Sequence, residues 1–98
     1  MKRDEIVRKL RSERDYLRER FGVESLALFG SAARDEAGPS SDVDILVEFG
    51  RPITLFDLVA VQQYLERSLG VPRVDLVPRD SVYPAFRESI LEGAVHVG

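Results

Sequence analysis

Over the first twenty-one residues, apolar side chains return at three- and four-residue steps, at Ile6, Val7, Leu10, Leu17 and Phe21, between charged neighbours. That period belongs to an amphipathic helix, and Gly22 marks its end. Ser25 to Phe29 is instead a short, nearly unbroken apolar run cut off by Gly30, which fits a buried strand. Residues 37–42, Ala-Gly-Pro-Ser-Ser-Asp, carry turn chemistry. Beyond them Val43, Ile45 and Val47 alternate with Asp44, Leu46 and Glu48, the two-residue period of a second strand.

After Pro52 the pattern turns helical again. Thr54 can cap a helix and Asp57, three residues on, can reach back to it, a variant of the capping box. Leu55, Leu58, Val59, Leu65 and Leu69 then form the expected buried stripe, with Gly70 as a left-handed stop. Val74 to Val77 is a short β-prone run closed by Pro78. Asp80 or Ser81 is the expected cap of a last helix, with Pro84 in its first turn and Val82, Phe86 and Ile90 on one face before Gly93. Val95 to Val97 suits an added edge strand. The order predicts an α/β (α+β) fold, a small mixed β-sheet with helices packed on one face.

A chain of 98 residues, 44% hydrophobic and 32% charged, has the make-up of a folded globular protein and the length for one core, so a single domain over residues 1–98 is expected. With no cysteine and one histidine it lacks the means for disulfides, thiolate nucleophiles, zinc sites or imidazole clusters. Any metal must be held by oxygen. The net charge of −3 is unevenly spread, with eight basic and five acidic residues in 1–20 against six basic and twelve acidic in 21–98. Such an acidic body repels phosphate backbones, and direct nucleic-acid binding is not expected. No apolar run has the length of a membrane span and the charged start does not read as a secretion signal, so a cytoplasmic protein is expected.

Asp42 and Asp44 stand two apart at the start of the second strand, which points both carboxylates the same way while Val43 and Ile45 face the core. Like charges so close repel unless a cation lies between them, and hard oxygen ligands favour magnesium. Asp75 sits inside another apolar strand, and pairing the two strands would bring it beside the couple. Three acids around two magnesium ions is the implied arrangement. Upstream, Gly30-Ser31 ends a strand and opens a short helix, where free backbone N–H groups and a hydroxyl suit a polyphosphate. Taken singly, these features would equally suit a solvated strand face and an ordinary turn; together they form a constellation. Arg34 is a candidate phosphate contact that could equally pair with Asp35 or Glu36. Arg73 and Arg79 read as ordinary surface charges.

Gly30-Ser31, ten intervening residues, then Asp42-Val43-Asp44, with Asp75 as a third carboxylate, resemble the motif of the polymerase-β-like nucleotidyltransferase superfamily. Over essentially its whole length the chain is similar to the minimal nucleotidyltransferases (MNT), the MntA type of antitoxin paired with a HEPN ribonuclease toxin. Many members carry glycine after the arginine of this motif, whereas Arg34 is followed by Asp35-Glu36. The resemblance implies the polymerase-β-like nucleotidyltransferase fold and transfer of a nucleoside monophosphate, AMP from ATP, to a hydroxyl. It implies that Asp42, Asp44 and Asp75 are catalytic and bind two Mg2+ ions, and that Gly30, Ser31 and Arg34 bind the nucleotide. It also implies a HEPN-domain toxin as partner, with a tyrosine as acceptor. Two rival readings stay open: an antitoxin that neutralises by binding alone, and a transferase acting on a small hydroxylated molecule. So short a chain leaves little structure for acceptor recognition, which favours an acceptor brought by a macromolecular partner.

Overall fold

The computed structural model describes residues 2–36 and 42–97. The turn expected over 37–42 therefore lies, apart from Asp42, outside the described residues. Arg3–Phe21 forms α1, which buries Ile6, Val7, Leu10 and Leu17 on one side. Asp4 and Glu5 in its first turn and Arg18 and Arg20 in its last oppose the helix dipole at each end. Gly22 closes it as expected, at φ 75°, where a side chain would be strained, and donates its N–H to the Arg18 carbonyl.

Val23–Phe29 is β1, Gly30–Ala33 a single helical turn, α2, and Val43–Phe49 is β2. β1 and β2 run antiparallel, with an irregularity between Val23 and Ser25. Leu55–Leu69 is α3, a crossover that returns the chain so that β3, Val74–Pro78, lies parallel to β2. A 3-10 turn, Arg79–Ser81, leads to α4, Pro84–Glu92, and β4, Val95–His96, pairs antiparallel with β1. The sheet order is β3-β2-β1-β4. None of the described helices is long and apolar enough to cross a membrane.

α1 and α3 pack against each other and against the sheet, and the core lies between them and the inward residues Leu26, Leu28, Val43, Ile45, Val47 and Val74. Leu46, assigned by alternation to the outer face, is also buried, with its cross-strand partner Ala27, although neither belongs to this core. Thr54 and Asp57 form the expected capping box: the Asp57 N–H donates to the Thr54 hydroxyl, and the Thr54 N–H donates to the Asp57 carboxylate at 3.0 Å.

Expectations for two helices need correction. The buried line of α3 is Val61, Leu65 and Leu69, whereas Leu55 and Val59 are exposed. Val59 lies about 160° around the helix from Val61, so it cannot share that face. The last helix takes no side-chain cap from Asp80 or Ser81 and starts only at Pro84. Proline disfavours helical geometry in the residue before it, which excludes an earlier start. No residue of α4 is buried, and the stripe expected there leaves Phe86 in solvent. Leu55, Phe56, Tyr83 and Phe86 are 73, 86, 75 and 62% exposed, a large apolar share for a small surface.

The α1–α3 seam is fastened at its rim. Tyr64 donates its hydroxyl hydrogen bond to Glu13, and Tyr16 stacks on Tyr64 with ring centroids 4.9 Å apart. That hydrogen bond first, then burial and the Glu13 charge, push the Tyr64 phenol up to about 12. A raised acid stabilises the fold while protonated, so this contribution is complete below pH 10 and lost as pH rises to about 12. Tyr64→Phe should lower the melting temperature by ~4 °C at neutral pH, and melts at rising pH should show the gap to the parent protein closing over that alkaline window.

Candidate active site

β1 ends at Phe29 opposite Asp44 in the antiparallel ladder, which delivers Gly30 directly against the Asp44 side chain. Gly30 has φ 71°, and a Cβ placed on it would overlap the carboxylate, lying 3.2 Å from Asp44 Cγ. Only glycine meets both conditions. On its other side Asp44 pairs with Asp75 in the parallel β2–β3 register. Paired residues of neighbouring strands leave the sheet on the same face, so both carboxylates project together. Asp42, two residues earlier, shares that face, while Val43, Ile45, Val74 and Leu76 are buried on the other.

Asp44 is half-buried; Asp42 and Asp75 are exposed. Burial first, then the charges of Asp75 and Asp42, push the Asp44 carboxyl above the ordinary aspartate value. The three acids are thus gathered on one face, and Asp44 carries the electrostatic cost. Among the described residues, however, no three acidic, histidine or cysteine side chains converge closely enough to cage an ion by themselves.

Ser31 stands in the single turn of α2, directly after Gly30. Three backbone bonds hold that turn, from the Arg34 N–H to the Gly30 carbonyl at 3.3 Å, from the Asp35 N–H to the Ala32 carbonyl at 3.2 Å and from the Glu36 N–H to the Ser31 carbonyl at 2.8 Å. The Arg34 side chain is not brought to the acids; its Nε pairs with Glu36 Oε2 at 3.1 Å on the surface. Arg73, read from the sequence as a plain surface charge, is exposed as expected, and its Nε also lies beside the acids, 3.8 Å from Asp42 Oδ2. The signal was available. Once Asp44 is placed opposite Asp75, the same parallel register sets residue 73 beside residue 42. Arg79 is an ion-pair partner too, 3.9 Å from Glu48 Oε1, to which the Ser25 hydroxyl also donates at 3.2 Å.

A helical turn entered through glycine thus stands against acids from two strands. The family model of the nucleotidyltransferase domain matches residues 10–97. The chain belongs to this family and is a nucleotidyltransferase of the MntA type. Protein adenylyltransferase MntA of Thermococcus cleftensis is 42% identical over 94 residues, covering 96% of this chain and 94% of that one. A solved structure provisionally described as a minimal nucleotidyltransferase superposes with a TM-score of 0.80 at 38% identity, over 97% of this chain and 95% of the other. The fold is also similar, with a TM-score of 0.66 at 18% identity over 94% of this chain and 71% of the other, to a chain from a complex of tri-AMPylated Shewanella oneidensis HEPN toxin with MNT antitoxin.

Because Asp44 is raised, its charged form is a burden on the folded state, present at neutral pH and relieved as pH falls through the raised value. Asp44→Asn should therefore melt no lower than the parent in chelator at pH 7, and up to ~4 °C higher, with the advantage shrinking on acidification. Gly30→Ala should go the other way: the left-handed backbone alone costs about 1–2 kcal/mol, and denaturant unfolding should report at least that loss.

Proposed function

We propose that the chain, a single cytoplasmic transferase domain, moves AMP from ATP to a tyrosine hydroxyl of a HEPN-type ribonuclease toxin and so neutralises it. The observation that carries this reading is the register that sets Asp44 opposite Asp75 and against Gly30. The name of the Thermococcus cleftensis relative and the toxin complex of the Shewanella oneidensis neighbour support the protein acceptor and the partner.

The donor set fits magnesium: carboxylate oxygens only, with a half-buried Asp44 whose mutual repulsion with Asp42 and Asp75 a divalent cation relieves. An incomplete cage suits this ion, which keeps several waters and commonly takes one or two carboxylates together with substrate phosphates. Asp42 and Asp44 would hold two ions jointly, and Asp75 one of them. Bound there, magnesium would neutralise the charge that develops on the phosphates during transfer.

The chain's own groups divide the remaining work. Gly30 and Ser31 offer backbone N–H groups and a hydroxyl to the β- and γ-phosphates, and glycine lets the triphosphate approach the backbone. Arg34, freed from Glu36, is in the right segment to add a charge there. Asp75 accepts the proton of the acceptor hydroxyl as its oxygen attacks the α-phosphorus. The bond from that phosphorus to the pyrophosphate oxygen breaks and pyrophosphate leaves. The residues act by positioning and charge placement more than by covalent chemistry.

Incubation with labelled ATP, magnesium and the HEPN protein should transfer label to a toxin tyrosine, identified by mass spectrometry, and abolish its ribonuclease activity. Asp42→Asn, Asp44→Asn and Asp75→Asn should each reduce labelling by at least ~100-fold. A toxin that is neutralised yet unmodified would overturn the enzymatic account in favour of inhibition by binding.

A further inference from the structure

Among the described residues, one cation stands within ion-pair range of the three acids. Arg73 Nε lies 3.8 Å from Asp42 Oδ2, with side chains 66% and 48% exposed. Its backbone is fixed, because its carbonyl accepts from the Val43 N–H at 3.1 Å in continuation of the β2–β3 ladder. The fold therefore places Arg73 beside Asp42, and the guanidinium can leave by side-chain rotation alone. A contact this long and this open to water is weak, and arginine keeps its charge at every working pH, so nothing but a competing cation need displace it.

We propose that Arg73 is a positioning residue that stands in for a metal cation at Asp42, so that divalent ions enter the site only as its guanidinium withdraws. The proposal rests on the metal-binding reading of Asp42, Asp44 and Asp75. It makes Arg73 a device that sets the metal concentration at which the site fills: without it Asp42 repels its neighbours unopposed and accepts a metal more readily. A purely structural ion pair would have the opposite consequence, since loosening Asp42 would weaken metal binding.

Electron paramagnetic resonance of free Mn2+, titrated with the nucleotide-free full chain, reads this directly and without any turnover. Arg73→Gln should bind Mn2+ about threefold more tightly than the parent, while Arg73→Lys, which restores a cation, should return toward the parental affinity. Arg79→Gln removes the same charge from the ion pair with Glu48 and should leave the affinity where it was. Equal or weaker binding by Arg73→Gln, or equal tightening by Arg79→Gln, overturns the role of Arg73 while leaving the metal site standing. If the parent takes up no Mn2+, or Asp44→Asn binds as tightly as the parent, the metal-binding reading falls and this proposal falls with it.

Discussion

Electrostatic repulsion among Asp42, Asp44 and Asp75, imposed by strand register, is the constraint around which the molecule is built. Left to themselves, three like charges would separate. They are kept together because Asp44 and Asp75 are each flanked by core side chains, Val43 and Ile45 around the first and Val74 and Leu76 around the second, while Asp42 adjoins Val43. Hydrophobic burial on one face of the sheet thus holds an unfavourable charge arrangement on the other. Gly30 adds to the crowding, its backbone lying so close that a side chain there would overlap the Asp44 carboxylate.

The helices serve the same end. α3 is the connection that allows β2 and β3 to run parallel, and without that direction residues 44 and 75 would not be partners. Its start is fixed by the Thr54–Asp57 box, and its end is held by Gly70. Glu66, near that end, accepts the N–H of Val74 at 2.9 Å, tying helix to strand where the acid-bearing segment begins. α1 closes the core from the same side, joined to α3 by the Tyr64–Glu13 bond.

Most of this was legible in the sequence wherever one residue type admits one role. Gly22, Gly70, the Thr54 box and the alternation around Asp44 specify local geometry that tertiary contacts do not override. The acids were legible because a charged residue inside an apolar strand has few reasons to be there. What could not be read depended on contacts between distant segments. The exposed half of α3 and the unburied α4 look amphipathic in sequence, but whether such a face is covered is decided elsewhere in the chain. Arg34 and Arg73 illustrate the same point with opposite outcomes, since only the register shows which arginine meets an acid of the trio and which turns to Glu36.

β3 is the outermost strand on its side of the sheet and five residues long. Among the described strands only β2 lies beside it, so the segment that carries Asp75 is held by one ladder, by Val74 and Leu76 beneath it and by the Glu66 bond. A substitution that loosens Val74 or Leu76 would therefore move a carboxylate on the opposite face without touching it.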